Sequence, residues 1–179
     1  MKKIYIGIDP GKQGFISIIK DEEYIFFEMP YEKVDGKKVF CERCLKPLVE
    51  DLVSICKGYE VKVAIELVSG RGGWSAQNNF NFGYTAGLQK MMMIMLDADI
   101  LMVRPQKWQS VMRAGYPDIK KSSSTGKTQV RDPKAVAELI VQTEYPDIDF
   151  RKSTRARKND DNKIDAFLIA QYLKRQDGK

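Results

Sequence analysis

Histidine is absent from this chain of 179 residues. Its absence excludes Ser-His-Asp and Cys-His nucleophile systems, His-ligated zinc and an imidazole general base. Catalysis at neutral pH would have to run on carboxylates, lysines, hydroxyls, thiols or a metal-bound water. Cysteine is scarce. Cys41, Cys44 and Cys56 make an odd number with no secreted disulfide framework. Cys41 and Cys44 are a lone C-x-x-C pair. Zinc would need two more ligands, and the chain has neither a histidine nor a second such pair. Their spacing is read as two neighbours on one helix face, with zinc shared across a dimer as the remote alternative. A long apolar run is also lacking. No stretch after Met1-Lys2-Lys3 suits a signal peptide or a membrane span. A reducing, cytoplasmic location with no membrane partner is therefore expected.

What is present describes a folded domain spanning residues 1–179. Apolar residues make up 43% and aromatics 10%, which argues against disorder, and the length suits one sizeable core. The net charge of +6 is unevenly placed. Residues 101–160 hold 13 Lys or Arg against 7 Asp or Glu, while the rest of the chain is balanced at 17 of each. A localised basic surface points to an anionic partner, nucleic acid before membrane, against the plain alternative of a solvated basic face.

No internal repeat is visible. Residues 4–8 are a short β-branched apolar run that reads as a buried strand, ending in the turn signal Asp9-Pro10-Gly11. Residues 14–19 and 24–29 read as two more strands, making an antiparallel meander. Residues 30–38 read as a polar loop. Apolar residues at 41, 44, 45, 48, 52, 55 and 56 predict a helix over 41–57. Residues 61–65 are a fourth strand ending in Glu66. Ser75 follows a Gly-rich loop and caps a helix that runs to Met95. Its Met91-Met92-Met93-Ile94-Met95 end suits core or interface packing. Residues 100–103 are a fifth strand, and Pro105 starts a short helix over 106–113. Residues 117–131 are the least ordered by composition. Asp132-Pro133 starts a helix to Tyr145, residues 146–159 are a basic connector, and a last helix covers 163–174. This order predicts a layered α/β domain with a mixed sheet.

Two acids stand out because each closes an apolar strand: Asp9 and Glu66. If those strands are neighbours, both carboxylates open into one cleft at the strand ends. A third acidic group, Asp160-Asp161-Asn162-Lys163-Ile164-Asp165, opens the last helix, with Asp161 and Asp165 four apart on one face. Taken singly, Asp9 suits a turn, Glu66 suits an ion pair, and Asp160 or Asp161 suits an N-cap. Asp165 begins an otherwise apolar helical run, and a buried acid needs a partner. Converging carboxylates repel unless neutralised, and hard oxygen ligands favour Mg²⁺ or Mn²⁺. Two such ions can activate a water and stabilise the leaving oxygen of a phosphodiester.

At these residues the sequence resembles the RuvC-type Holliday junction resolvases, within the RNase H-like nucleases. Gly7-Ile8-Asp9-Pro10-Gly11, Ala64-Ile65-Glu66 and Asp161-Asn162-Lys163-Ile164-Asp165-Ala166 are similar to the family's three motifs in order. Asn79-Phe80-Asn81-Phe82-Gly83 and Arg104-Pro105-Gln106-Lys107-Trp108 look more like the bacteriophage-encoded branch. The resemblance implies an RNase H-like α/β fold with a five-stranded mixed sheet flanked by helices. It implies a homodimer whose two active sites cut a four-way DNA junction, in the cytoplasm of a bacterial host if the chain is phage-encoded. The implied metal and catalytic residues are Asp9, Glu66, Asp165 and one further acid, for which Asp161 is taken because it is a carboxylate on the same helix face. Bacterial members space the last two acids by three, which here would be Asn162. They also carry an aromatic wedge where this chain has Ser69, so Trp74, Phe80 or Phe82 would serve, with one of the two phenylalanines expected in the core. The corresponding family helix lies at the dimer interface, where the Met run would sit. Candidate DNA contacts are Lys12, Arg71, Trp74, Arg104, Lys107, Lys121 and Lys127. Gly126-Lys127-Thr128 is not a nucleotide loop, because Lys121 replaces its first Gly, and no nucleotide cofactor is expected. The competing readings are a nuclease for RNA or RNA–DNA hybrids and a non-catalytic junction-binding protein. An actin-like ATPase needs two lobes, too many for this length.

Overall fold

A computed structural model of the chain describes residues 1–178 apart from Lys12, Val68, Arg71 and Ser124. In chain order the elements are β1 (Lys3–Asp9), β2 (Phe15–Lys20), β3 (Glu23–Glu28), β4 (Tyr31–Val34) and β5 (Lys37–Phe40). A 3₁₀ turn (Glu42–Cys44) leads into α1 (Leu45–Cys56), β6 (Glu60–Glu66), α2 (Ala76–Ile94), β7 (Asp99–Val103) and α3 (Pro105–Met112). Then come β8 (Lys120–Ser122), β9 (Gln129–Arg131), α4 (Pro133–Glu144) and α5 (Asp161–Asp177).

Five strands form one mixed sheet in the order β3-β2-β1-β6-β7. β1 is central, antiparallel to β2 and parallel to β6, and β6 is parallel to β7. Side chains alternate between the two faces. Ile4, Ile6 and Ile8 of β1 and Val61, Val63 and Ile65 of β6 pack with Leu48 and Leu52 of α1 and Met92 and Met93 of α2. On the other face Tyr5 and Ala64 meet a core built from α3, α4 and α5, including Trp108, Ile140 and Phe167.

α5 is buried nearly all round, with nine consecutive or near-consecutive residues from Ile164 to Leu173 enclosed. Such a helix lies inside the protein rather than on its surface. It crosses the sheet over a row of small residues, because Gly7 pairs with Ser17 on one side and Ala64 on the other. A Cβ on Gly7 would stand 2.2 Å from the Ala166 carbonyl oxygen and 2.3 Å from the Ala170 nitrogen. Only glycine admits this backbone contact. The helix is also fastened at its ends. Asp160 caps its start, accepting from the amides of Asn162 and Lys163. At its far end Asp177 accepts from Lys3 Nζ at 2.7 Å and Tyr5 Oη at 2.8 Å and pairs with Lys62 at 3.0 Å.

Three local expectations change. Residues 30–38 belong to a hairpin, β4–β5, whose turn Asp35-Gly36 has φ of 50° and 73°. Asp-Gly is the residue pair that a two-residue hairpin turn with positive φ favours. Residues 117–131 carry a second hairpin, β8–β9, closed by the Ser123 amide donating to the Thr128 carbonyl at 2.8 Å. The helix expected from Cys41 starts at Leu45. Pro47 has no N–H to bond back to residue 43, so residues 41–44 tighten into a 3₁₀ turn. That turn aligns Cys41 with Cys44, and the two form a disulfide, replacing the pair expected on a helix face.

α2 is dressed the wrong way round for a core helix. Its buried face includes Thr85 and Gln89, and the Gln89 amide has no hydrogen-bond partner among the described residues. Phe80, Tyr84, Met91, Ile94 and Met95 are exposed, while Met92 and Met93 are in the core.

Two glycines test this packing. Gly7→Ala is expected to lower stability by at least about 1–3 kcal/mol, the scale of core overpacking. Gly87→Ala, where an added Cβ meets nothing within 4 Å, is expected to raise it by about 0.5–1 kcal/mol. Urea denaturation of both variants decides the point, and a harmless Gly7→Ala would refute the close contact.

Candidate active site

Asp9 is the last residue of β1 and Glu66 the last of β6. Because these strands are parallel neighbours, both acids reach the same edge of the sheet. The two-residue period puts Asp9 on the face of Gly7 and Glu66 on the face of Ala64, which is the face that α5 covers. Asp165 sits on α5 one residue before Ala166, whose carbonyl lies against Gly7. The contact that demands glycine at position 7 thus also delivers Asp165 to the two strand-end carboxylates.

The three acids feel one another. Asp9 is held well above the usual carboxylate range, first by burial and then by the charges of Asp165, Glu66 and Asp160, with Lys134 opposing. Asp165 is pushed up to about 7 by burial and then by Glu66, with Lys134 and Arg113 opposing and Asp161 adding to the repulsion. Both shifts have the same cause: charged carboxylates removed from water and set beside like charges.

Neighbouring groups hold the acids in place. The buried indole of Trp108 donates from Nε1 to Glu66 Oε2 at 2.8 Å. Lys134, in the first turn of α4, donates to Asp161 Oδ2 at 2.6 Å. That contact raises the lysine's own pKa, so the ammonium stays charged. Asp161 is therefore turned toward Lys134 at the rim, while Asp160 is occupied as the helix cap.

The donor set suits a hard divalent cation. It consists of carboxylate oxygens whose mutual repulsion and desolvation a cation would relieve. Asp9, Glu66 and Asp165 would hold it, with Asp161 the nearest further carboxylate on the same helix. Among the described residues no three acidic or cysteine side chains stand arranged to hold a metal ion as they are. The carboxylates would therefore have to draw together around it.

The remaining sequence candidates scatter more widely. Trp74 is 41% exposed and meets Phe82 edge to face, with ring centroids 5.6 Å apart. The two line a cleft of about 480 Å³ with Asn78, Asn81, Thr85 and, from the turn that follows Asp9, Gly11 and Gln13. The expectation that Phe80 or Phe82 joins the core fails. Phe80 is 67% exposed and stacked on Tyr84, and Phe82 is half-buried at the cleft. α2 keeps only Thr85, Gln89, Met92 and Met93 inside, so its first two turns stand clear of the core. Arg104, Lys107 and Lys127 are exposed, and Lys121 pairs with Asp132 at 3.2 Å. Lys12 and Arg71 lie outside the described residues. Sequence reasoning missed Lys134, Arg113 and the role of Trp108. The one available signal was Lys134 standing just inside the helix start at Asp132-Pro133.

The raised Asp165 makes a signed prediction. A carboxylate raised in the folded state contributes stability that is present below about pH 4 and is lost as pH rises through about 7. Without divalent cations, Asp165→Asn should match wild type near pH 4. It should exceed it by on the order of 2–4 kcal/mol at pH 8.5, since each pKa unit is worth about 1.4 kcal/mol. Urea titrations in chelator across this range measure the difference, and a pH-independent difference would count against the buried, repelled carboxylate.

No protein-family model matches the sequence, and no curated protein matches it. Solved structures do match. The structure of RuvC from Thermus thermophilus superposes with a TM-score of 0.52 at 15% identity, covering 97% of this chain and 96% of that one. The same organism's RuvC in complex with Holliday junction substrate gives a TM-score of 0.54 at 11% identity, with the same coverage. With its five-stranded mixed sheet and flanking helices, the chain has the RuvC-type, RNase H-like α/β fold.

Proposed function

We propose that this protein is a metal-dependent, structure-specific endonuclease that cuts four-way DNA junctions and related branched DNA. The observation that carries the reading is the convergence of Asp9, Glu66 and Asp165 from two parallel strand ends and one buried helix. The fold shared with a protein solved on Holliday junction substrate supports the choice of DNA.

Mg²⁺, with Mn²⁺ as substitute, would supply a Lewis acid for the phosphate and a more acidic attacking water, most economically as a pair of ions. The chain's own residues do the rest. Trp108 fixes the orientation of Glu66. Burial leaves Asp9 and Asp165 poorly solvated and disfavours their charged forms, which a bound cation would restore in place of water. Lys134 holds Asp161 at the rim; once Asp161 turns inward, the ammonium is left beside the phosphate, where it favours developing negative charge. Trp74, at the cleft lined by the turn that follows Asp9, offers a ring on which an unpaired base can stack, worth about 1–3 kcal/mol.

Two copies would pair through α2. Its exposed Phe80, Tyr84, Met91, Ile94 and Met95 recur at helical spacing, an apolar stripe that water does not favour. Among the described residues no helix is long and apolar enough to cross a membrane, so the stripe is not part of a membrane-spanning helix.

Asp9→Asn should keep junction binding and lower single-turnover cleavage in Mg²⁺ at least about 10²-fold, the scale for losing one group that stabilises transition-state charge. Cleavage at the wild-type rate would sink the assignment of Asp9. Faster cutting of linear RNA–DNA hybrid than of four-way junctions would favour the RNase H-type alternative. Met91→Glu combined with Met95→Glu should shift the protein from dimer to monomer in sedimentation equilibrium. Dimers of unchanged affinity would place the interface elsewhere.

A further inference from the structure

We propose that residues 151–159, which the sequence presents as a connector, form a preorganised phosphate-gripping loop. It would bind the sugar–phosphate backbone of the DNA strand beside the acidic cleft. The inference rests on the endonuclease reading and assigns that site a binding element of its own.

The loop is fastened at its base. Arg151 and Asn159 bridge in antiparallel fashion, and the Asp160 amide donates to the Phe150 carbonyl at 2.9 Å. Phe150 itself is 1% exposed in the core. Lys163 Nζ donates to the carbonyls of Asp149 and Arg151 at 2.6 and 3.3 Å. The Arg151 guanidinium is taken up by Asp149, and Lys152 by Glu28. Three cations therefore act as anchors. Three others do not. Arg155, Arg157 and Lys158 are exposed, with no ion pair among the described residues. A loop that merely connected two helices would have no need to be pinned while its tip kept three unpaired cations. Ordering it in advance lowers the entropic cost of binding.

Its position and chemistry select the ligand. The loop runs directly into Asp160 and Asp161. Arg157 and Lys158 line a cleft of about 520 Å³ together with Lys134 and Asp161. The acid on its other wall, Glu138, already accepts from the amides of Gln142 and Asn159. Guanidinium forks suit phosphate oxygens. Ala156 is the one apolar residue in Arg151-Lys152-Ser153-Thr154-Arg155-Ala156-Arg157-Lys158-Asn159, so nothing there would insert into a lipid surface.

The test is a salt titration of binding with the full-length R155A/R157A/K158A variant, on a four-way junction and on linear duplex, without Mg²⁺. The slope of log affinity against log salt should flatten by about 2–3, at about 0.9 for each lost phosphate contact. Junction and duplex affinities should fall together by roughly tenfold or more at moderate salt. Cleavage at saturating protein should stay within about threefold of wild type, because positioning contacts of this kind are not reacting groups. R155K/R157K should restore the slope. An unchanged slope, or a loss confined to maximal cleavage rate, would overturn the proposal. So would a variant-sensitive affinity for phosphatidylserine vesicles with none for DNA. Wild type that binds duplex but never cuts junctions would instead defeat the endonuclease reading and leave the loop's slope measurable.

Discussion

The contact of α5 with the backbone of Gly7 governs the rest of this molecule. A helix normally rides on side chains about 10 Å above a sheet. Here Ser17, Gly7 and Ala64 form a low row across three strands, and Ala166 and Ala170 settle onto it. The close approach encloses the middle of the helix, which is why residues 164–173 are mostly apolar. It also sets the depth of Asp165. A larger residue at position 7 would lift the helix and separate Asp165 from Asp9 and Glu66. The Asp160 cap and the Asp177 clamp hold the two ends of the helix, so it has little freedom to slide along the row.

That geometry creates an electrostatic debt. Carboxylates at the edge of a core lose hydration and repel one another, and the neighbouring cations offset only part of this. Lys134 is largely occupied by Asp161, and Arg113 is itself partly buried, its hold on its proton weakened by desolvation. The divalent cation proposed for this site would relieve the repulsion that these neighbours leave. Stability has been given up locally for charge placement, and the well-packed layers on both faces of the sheet absorb the cost.

Cations elsewhere divide between two uses. Lys62, Lys3, Lys121, Arg131, Arg151 and Lys152 are tied to acids and hold elements together. Lys120 and Lys127 on the β8–β9 hairpin, and Arg155, Arg157 and Lys158 on the later loop, are left to solvent. Both basic projections end in an aspartate that caps the next helix, Asp132 for α4 and Asp160 for α5. The Lys134–Asp161 pair joins those two helix starts. The segments before both helix starts thus carry exposed cations, and the start of α5 carries Asp161 and Asp165.

Much of this was readable from local pattern. The five sheet strands, the long helices and their caps follow from apolar periodicity and from Ser75, Asp132 and Asp160. Asp9 and Glu66 announce themselves by ending apolar runs. Asp35-Gly36 signalled a hairpin that polar composition concealed, and Pro47 already forbade a helix from Cys41. Both are short-range effects, open to closer reading of the chain. The sequence by itself thus determined the elements, the strand-end acids and the uneven charge, because each depends on residues a few positions apart. Tertiary structure alone decided that Trp108 holds Glu66 and Lys134 holds Asp161, pairs separated by 42 and 27 residues. It alone decided that α2 turns Phe80, Tyr84, Met91 and Ile94 outward and that, among the described residues, Arg155, Arg157 and Lys158 have no ion pair. Such outcomes depend on which surfaces meet when the layers close, and no local periodicity encodes that.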